Sequence, residues 1–326
     1  MATDPGNLVE VRGTTKRFGR KEVLCGVDLT VQPGSVHALL GENGAGKTTL
    51  MRLLVGFLRA DSGSLRVLGV DPAREPLALR RRVGYLADAP ALYDWMTVQQ
   101  VGWFCSAFHG AGYPEAFVRW AEDFHLPPGT RVRALSKGMR AKTALASVLA
   151  AEPRLLLLDE PTSGLDPVVR REFLQSMVDI AAAGRSVLIS SHQVAEVERV
   201  ADHVTILHDG RIVLDGPLDD LKAAHTLLSF TLHDPFAAPP PAVLDLAVRW
   251  GECQARSVRL LVPALSAGVV DGLAADPAVG DVRAVRPTLE DLYVAFTQPW
   301  GRLPWDRAPQ RAGAVTGSGP LTSAGR

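Results

Sequence analysis

Residues 36–50 read VHALLGENGAGKTTL, and the order of these residues decides the fold. VHALL is a short, continuous apolar run, the pattern of a strand buried on both faces of a sheet. TTLMRLLVGFL, from Thr48 onward, has the pattern of a helix. Between them Gly41, Gly46, Lys47 and Thr48 hold the defining positions of a phosphate-binding loop. Its glycines let successive backbone N–H groups of Asn43, Gly44, Ala45 and Gly46 turn toward one point without side chains in the way. Lys47 is placed to set its ammonium between the β- and γ-phosphates of a nucleotide. Thr48 is placed to offer its hydroxyl to Mg²⁺, and the helix that carries Thr48 and Thr49 adds its dipole.

A strand of this kind needs parallel neighbours, and two more stretches supply them. RLLLLDEPTSGLD (154–166) is an apolar run ending in adjacent acids, Asp159 and Glu160. Carboxylates at the C-terminal end of a buried strand lie beside the phosphate loop, because α/β sheets bind ligands at that edge. Asp159 suits the Mg²⁺ shell, and Glu160 suits the polarisation of an attacking water. SVLISSH (186–192) brings His192 to the same edge, where it would contact the γ-phosphate and orient Glu160 and the water. A fourth segment, LSKGM (135–139), opens a helix with Ser136 and Gly138. A hydroxyl, a glycine and a helix dipole form an anion site that is incomplete by itself.

Composition sets limits around these motifs. The 326 residues carry 35 basic and 35 acidic side chains, so no strongly basic surface is indicated and no nucleic-acid partner is expected. Cys25, Cys105 and Cys253 are scattered without metal-ligand spacing, as inert thiols of a reducing compartment would be. The opening residues lack the pattern of a signal peptide, and no apolar run approaches the ~20 residues of a membrane span. The expected location is the cytoplasm, with any membrane spans supplied by another chain.

The expected division is a nucleotide-binding domain over 1–225, a small α/β domain over 226–297 and a disordered tail over 298–326. VTILHDGRIVLDG predicts a hairpin turning at Asp209-Gly210, and the proline-rich HDPFAAPPPAV marks the boundary. In the small domain, SVRLLV and DVRAV read as strands and ALSAGVVDGLAA as a helix. TLEDLYVAF reads as a second helix opened by a capping box of Thr288 and Asp291.

Taken in this order, the motifs resemble the nucleotide-binding subunits of ABC transporters over roughly Leu8–Leu221. The resemblance implies an ABC-type α/β P-loop fold with a RecA-like core, an antiparallel β subdomain and a helical subdomain. It makes GENGAGKTT the Walker A loop, LLLLDE Walker B, Asp166 part of the D-loop, His192 the switch histidine and LSKGM the signature. It also implies that Phe18 stacks on the adenine of ATP. Two such subunits, here expected as a homodimer, would close head to tail around two Mg-ATP, with Ser136 and Gly138 holding the partner's γ-phosphate.

Two motifs depart from the family pattern, at three positions. Lys137 and Met139 replace a glycine and a glutamine in the signature, and Asp88 stands where Gln or Glu touches Mg²⁺ and the water. Tyr93, Trp95 and Met96 are expected to receive a cytoplasmic helix of a membrane permease, ahead of a helix capped by Thr97 and Gln100. RPTLEDLYVAF resembles the ending of subunits that serve separate exporter permeases. The reaction expected is ATP hydrolysis coupled to export, on the inner face of the membrane. An ATP switch acting on ribosomes or DNA is the alternative; such proteins carry tandem domains or long coiled coils, and neither pattern is present.

Overall fold

VHALL, LLLLD and SVLISS all become fully buried strands, side by side in one sheet. A computed structural model describes residues 6–234, 240–244, 246–263, 265, 267–299, 301 and 303. It divides into two compact units, Met1–His225 with Arg286–Gln298, and Thr226–Val285 with Pro299–Arg326.

The chain begins with β1 (Val9–Phe18), β2 (Lys21–Val31), β3 (Val36–Leu40), α1 (Lys47–Leu54), β4 (Ser62–Val67), α2 (Pro76–Arg80) and β5 (Val83–Leu86). Three helices follow, α3 (Val98–Ser106), α4 (Tyr113–Asp123) and α5 (Lys137–Leu149). The chain then re-enters the sheet through β6 (Leu155–Asp159), α6 (Pro167–Ala182), β7 (Ser186–Ser191), α7 (Val194–Val197), β8 (His203–His208) and β9 (Arg211–Pro217). It ends with α8 (Leu218–Ala223), β10 (His225–Leu232), α9 (Pro241–Leu244), β11 (Trp250–Gln254), β12 (Ser257–Pro263), α10 (Ala267–Ala274), β13 (Val279–Val285) and α11 (Leu289–Thr297).

The central sheet has the order β5-β6-β7-β3-β8-β9, parallel except for the β8–β9 hairpin. That hairpin turns at Asp209 and Gly210, both in the left-handed region, as the sequence predicts. The register sets Leu40 beside Ser191 and Asp159 beside Ser190, so three strands end at one level. A second sheet, β2-β1-β4, is antiparallel and alternates buried with exposed residues. It is linked to the central hairpin by the Cys25 N–H donating to Gly210 O at 2.8 Å and by Arg211 Nη1 donating to Cys25 O at 3.1 Å. Leu24, Leu29, Leu39, Leu50 and Leu54 are buried in the core shared by the two sheets. Each contributes about 2 kcal/mol by leaving water.

Helices α3, α4 and α5 pack around Val98, Val101, Phe117 and Ala146. Thr97 and Gln100 form the expected capping box at the start of α3. Together these features give the α/β P-loop architecture expected, with its antiparallel sheet and helical part.

The second unit is built on a four-stranded sheet in the order β11-β12-β10-β13, with core residues Leu228, Phe230, Leu260, Val262 and Leu273. Along the chain it begins at Thr226. Helix α11, with the predicted Thr288–Asp291 capping box, groups with the first unit. There it packs on α7, α8 and β9, and Gln298 Nε2 donates to Glu42 Oε1 at 3.4 Å. Most of the tail expected to be disordered, from 304 onward, lies outside the described residues.

Candidate active site

The loop between β3 and α1 turns because Gly46, at φ 113°, occupies a conformation that a side chain would strain. Gly41 answers to space instead: a Cβ there would come within 2.4 Å of Leu207 O on β8. Asn43 and Gly44 are exposed at the loop's tip, whereas Ala45 is buried and its N–H donates to Glu42 O at 3.2 Å. Lys47 opens α1, and Thr48 and Thr49 continue it, half-buried.

Three side chains converge where the strands end. The Lys47 ammonium, almost wholly buried, donates to Gly41 O at 2.6 Å and Glu42 O at 3.2 Å, and it lies 3.0 Å from Glu160 Oε1. The last contact is one of charge, since Glu160 Oε1 is buried and has no aligned hydrogen bond. With its proton on Nδ1, His192 donates to the other carboxylate oxygen, Oε2, at 2.8 Å. Glu160 itself has φ 50°, a left-handed backbone rare for a side-chain-bearing residue and found most often at working sites.

Asp159 belongs to a second group. Thr48 Oγ1 donates to Asp159 Oδ1 at 3.1 Å, and Ser190 Oγ donates to the same oxygen at 2.8 Å. The Glu160 N–H donates to Ser190 Oγ at 3.0 Å and reaches Ser190 O at 3.2 Å. Ser190 therefore positions both acids, a role the sequence reading did not assign. The signal that could have found it is the pair of serines just before His192, at the level where a parallel strand meets the acids.

The donor set fits a small, hard cation. The Thr48 hydroxyl gives its proton to Asp159 and keeps its lone pairs, next to a carboxylate, in the all-oxygen pattern that Mg²⁺ takes.

The remaining predicted residues occupy other places. Ser136 caps α5, its Oγ accepting from Met139 N–H at 3.2 Å. Gly138 is buried, and a Cβ there would lie 2.5 Å from Val169 Cγ1 on α6. Asp166 caps α6, Oδ1 accepting from the N–H groups of Val168 and Val169, both at 3.1 Å. Phe18 is half exposed at the end of β1, with the Lys16 ammonium 5.6 Å from its ring centre. Asp88 stands exposed on the loop after β5 and bonds to none of Thr48, Asp159 or Glu160. Of the expected docking residues, Tyr93 and Trp95 are exposed, 6.0 Å between ring centres. Met96 is not part of that surface: it is buried against Val98 and Val101.

Comparison with known proteins identifies the family. A family model described as ABC transporter matches residues 24–163. The chain is 36% identical over 304 residues to the daunorubicin resistance ATP-binding protein DrrA3 of Streptomyces coeruleorubidus, spanning 89% of this chain and 95% of that protein. It is 37% identical over 227 residues to the fluoroquinolones export ATP-binding protein MT2762 of Mycobacterium tuberculosis, spanning 67% and 74%. A solved structure of the ATP-binding subunit of an ABC transporter superposes with a TM-score of 0.60 at 31% identity, covering 66% of this chain and 92% of that one.

Proposed function

The chain belongs to the ABC transporter family as an ATP-binding, ATP-hydrolysing subunit, and from that premise we propose how its residues divide the work. The observation that carries the reading is Glu160 held between Lys47 and His192 at the edge of the sheet. A carboxylate in that place accepts a proton from water aimed at the γ-phosphate, and His192 fixes its orientation. Lys47 and the loop N–H groups meet the developing phosphate charge. Thr48 and Asp159 would hold Mg²⁺, which when bound offsets charge on the β- and γ-phosphates. Phe18 offers its exposed ring to the adenine.

Ser136 and Gly138 complete the site of a second subunit, so two copies close head to tail around two nucleotides. Asp166 lies at that interface. Closure moves a separate membrane permease docked near Tyr93 and Trp95, and hydrolysis lets the pair reopen. The subunit thus works on the inner face of the membrane through its permease and binds no nucleic acid. No helix among the described residues is long and apolar enough to cross a membrane. Two of the relatives carry drug resistance or drug export in their names, and we assign this chain to the same direction, export of drug-like molecules.

The test is the Glu160→Gln variant with saturating Mg-ATP, followed by light scattering. A stable ATP-bound dimer without hydrolysis is expected. A variant that binds ATP and stays monomeric overturns the head-to-tail arrangement.

A further inference from the structure

Two of the three residues that depart from the family pattern, Asp88 and Lys137, line one cavity of about 440 Å³. Its wall is formed by the loop after β5, the first turn of α5, and Pro161, Ser163 and Leu165 between β6 and α6. The residues exchanged are a carboxylate on one side and an ammonium on the other. The other cations near the start of α5 are already engaged: Arg140, which also lines the cavity, with Asp94 at 2.5 Å, and Lys142 with Glu172 at 2.8 Å. Among the described residues neither Asp88 nor Lys137 has an ion-pair partner. Lys137 instead lays its ammonium on the backbone of Gly164, where a Cβ would fall 2.0 Å from Nζ. A lysine at the first position of a helix is unfavourable to the dipole, so the charge has no local reason to be there.

We propose that Asp88 and Lys137 are a matched pair that bridges this cavity when two subunits close. The bridge would tie the loop after β5 to the helix that presents Ser136 to the partner. Lysine's flexible four-carbon stem allows the swing from Gly164 toward Asp88. The partner's surface, once in place, shields the pair from solvent and strengthens it. Both are positioning residues, acting through α5 and the loop rather than on the nucleotide itself. This inference rests on the reading of Ser136 and Gly138 as the part that completes a second subunit's site.

The experiment uses the full chain in a Glu160→Gln background and measures the Mg-ATP concentration at which half the protein is dimeric. Asp88→Asn, Lys137→Met, the double variant and Asp88→Glu are compared, with ATP affinity of the monomer measured separately. Each neutral single variant is expected to raise the midpoint about three- to tenfold. The double variant should raise it no further than either single. Asp88→Glu, which keeps the charge, should stay close to the parent, and monomer ATP affinity should be unchanged in all. Independent, multiplying effects overturn the pair, as does an Asp88→Glu variant as impaired as Asp88→Asn. A background chain that binds ATP but never dimerises overturns the reading beneath it instead.

Discussion

The Lys47 ammonium lies 3.0 Å from Glu160 Oε1, so the cation that would meet a phosphate and the carboxylate that would activate the water neutralise each other. A phosphate entering the loop must compete with Glu160 for Lys47. Glu160→Gln removes that competitor together with the base. We expect hydrolysis to fall by about 10²- to 10⁴-fold while ATP affinity, read by a fluorescent analogue, tightens rather than weakens. Weaker binding in this variant would mean that the contact does not oppose nucleotide entry.

Ser190 reaches both acids, Asp159 through its hydroxyl at 2.8 Å and the Glu160 backbone at 3.0 Å. Ser190→Ala is expected to lower kcat by about tenfold or more, with a smaller change in KM, because the acids are misplaced rather than lost. Steady-state kinetics over a range of ATP concentration separate the two effects. Equal kcat in variant and parent would remove Ser190 from the site.

Gly138 has two reasons to be glycine, close packing on Val169 and the approach of a partner's phosphate. Gly138→Ala should cost about 1–3 kcal/mol of stability by overpacking against Val169. Adding Val169→Ala opens space and should recover most of the thermal stability. If Gly138 also serves the interface, ATP-driven dimerisation stays impaired in the double variant. Full recovery of dimerisation would leave packing as the whole explanation.

His37 is buried beside His203 and Thr205, and burial, reinforced by the neighbouring His203, pushes its pKa down to about 3. Its Nε2 lies 2.7 Å from Thr205 Oγ1, which in turn donates to Asp215. The folded protein keeps His37 neutral over a range in which the unfolded chain, at about 6.5, takes up a proton. Stability should therefore be fully present above about pH 6.5 and fall with acidification toward pH 3, by up to about 1.4 kcal/mol per pH unit from this group. Chemical denaturation at several pH values tests this, and His37→Phe should flatten the slope.

How much of this was legible in sequence follows from how local each signal is. The phosphate loop, the three buried strands, the hairpin at Asp209-Gly210 and the capping boxes at Thr97 and Thr288 each rest on a handful of consecutive residues. Backbone conformation, strand burial and capping depend on neighbours along the chain, so a single sequence carries them. Convergence of Lys47, Asp159, Glu160 and His192 could also be anticipated, because parallel strands must end at one edge.

Side-chain partnership across the sheet is another matter. That Ser190 serves both acids follows from a register between strands thirty residues apart. Met96, the neighbour of exposed Trp95, turns into the core because the loop before α3 folds back onto Val98 and Val101 of that helix. The helix at Leu289–Thr297 follows the small domain in the chain, yet it groups with the nucleotide-binding unit. The sequence by itself determined the phosphate loop, the acids and the sheet, because these are written in short contiguous patterns. Only the tertiary structure decided which distant side chains share a cavity, as Asp88 and Lys137 do, since that depends on how three loops far apart in the chain come together.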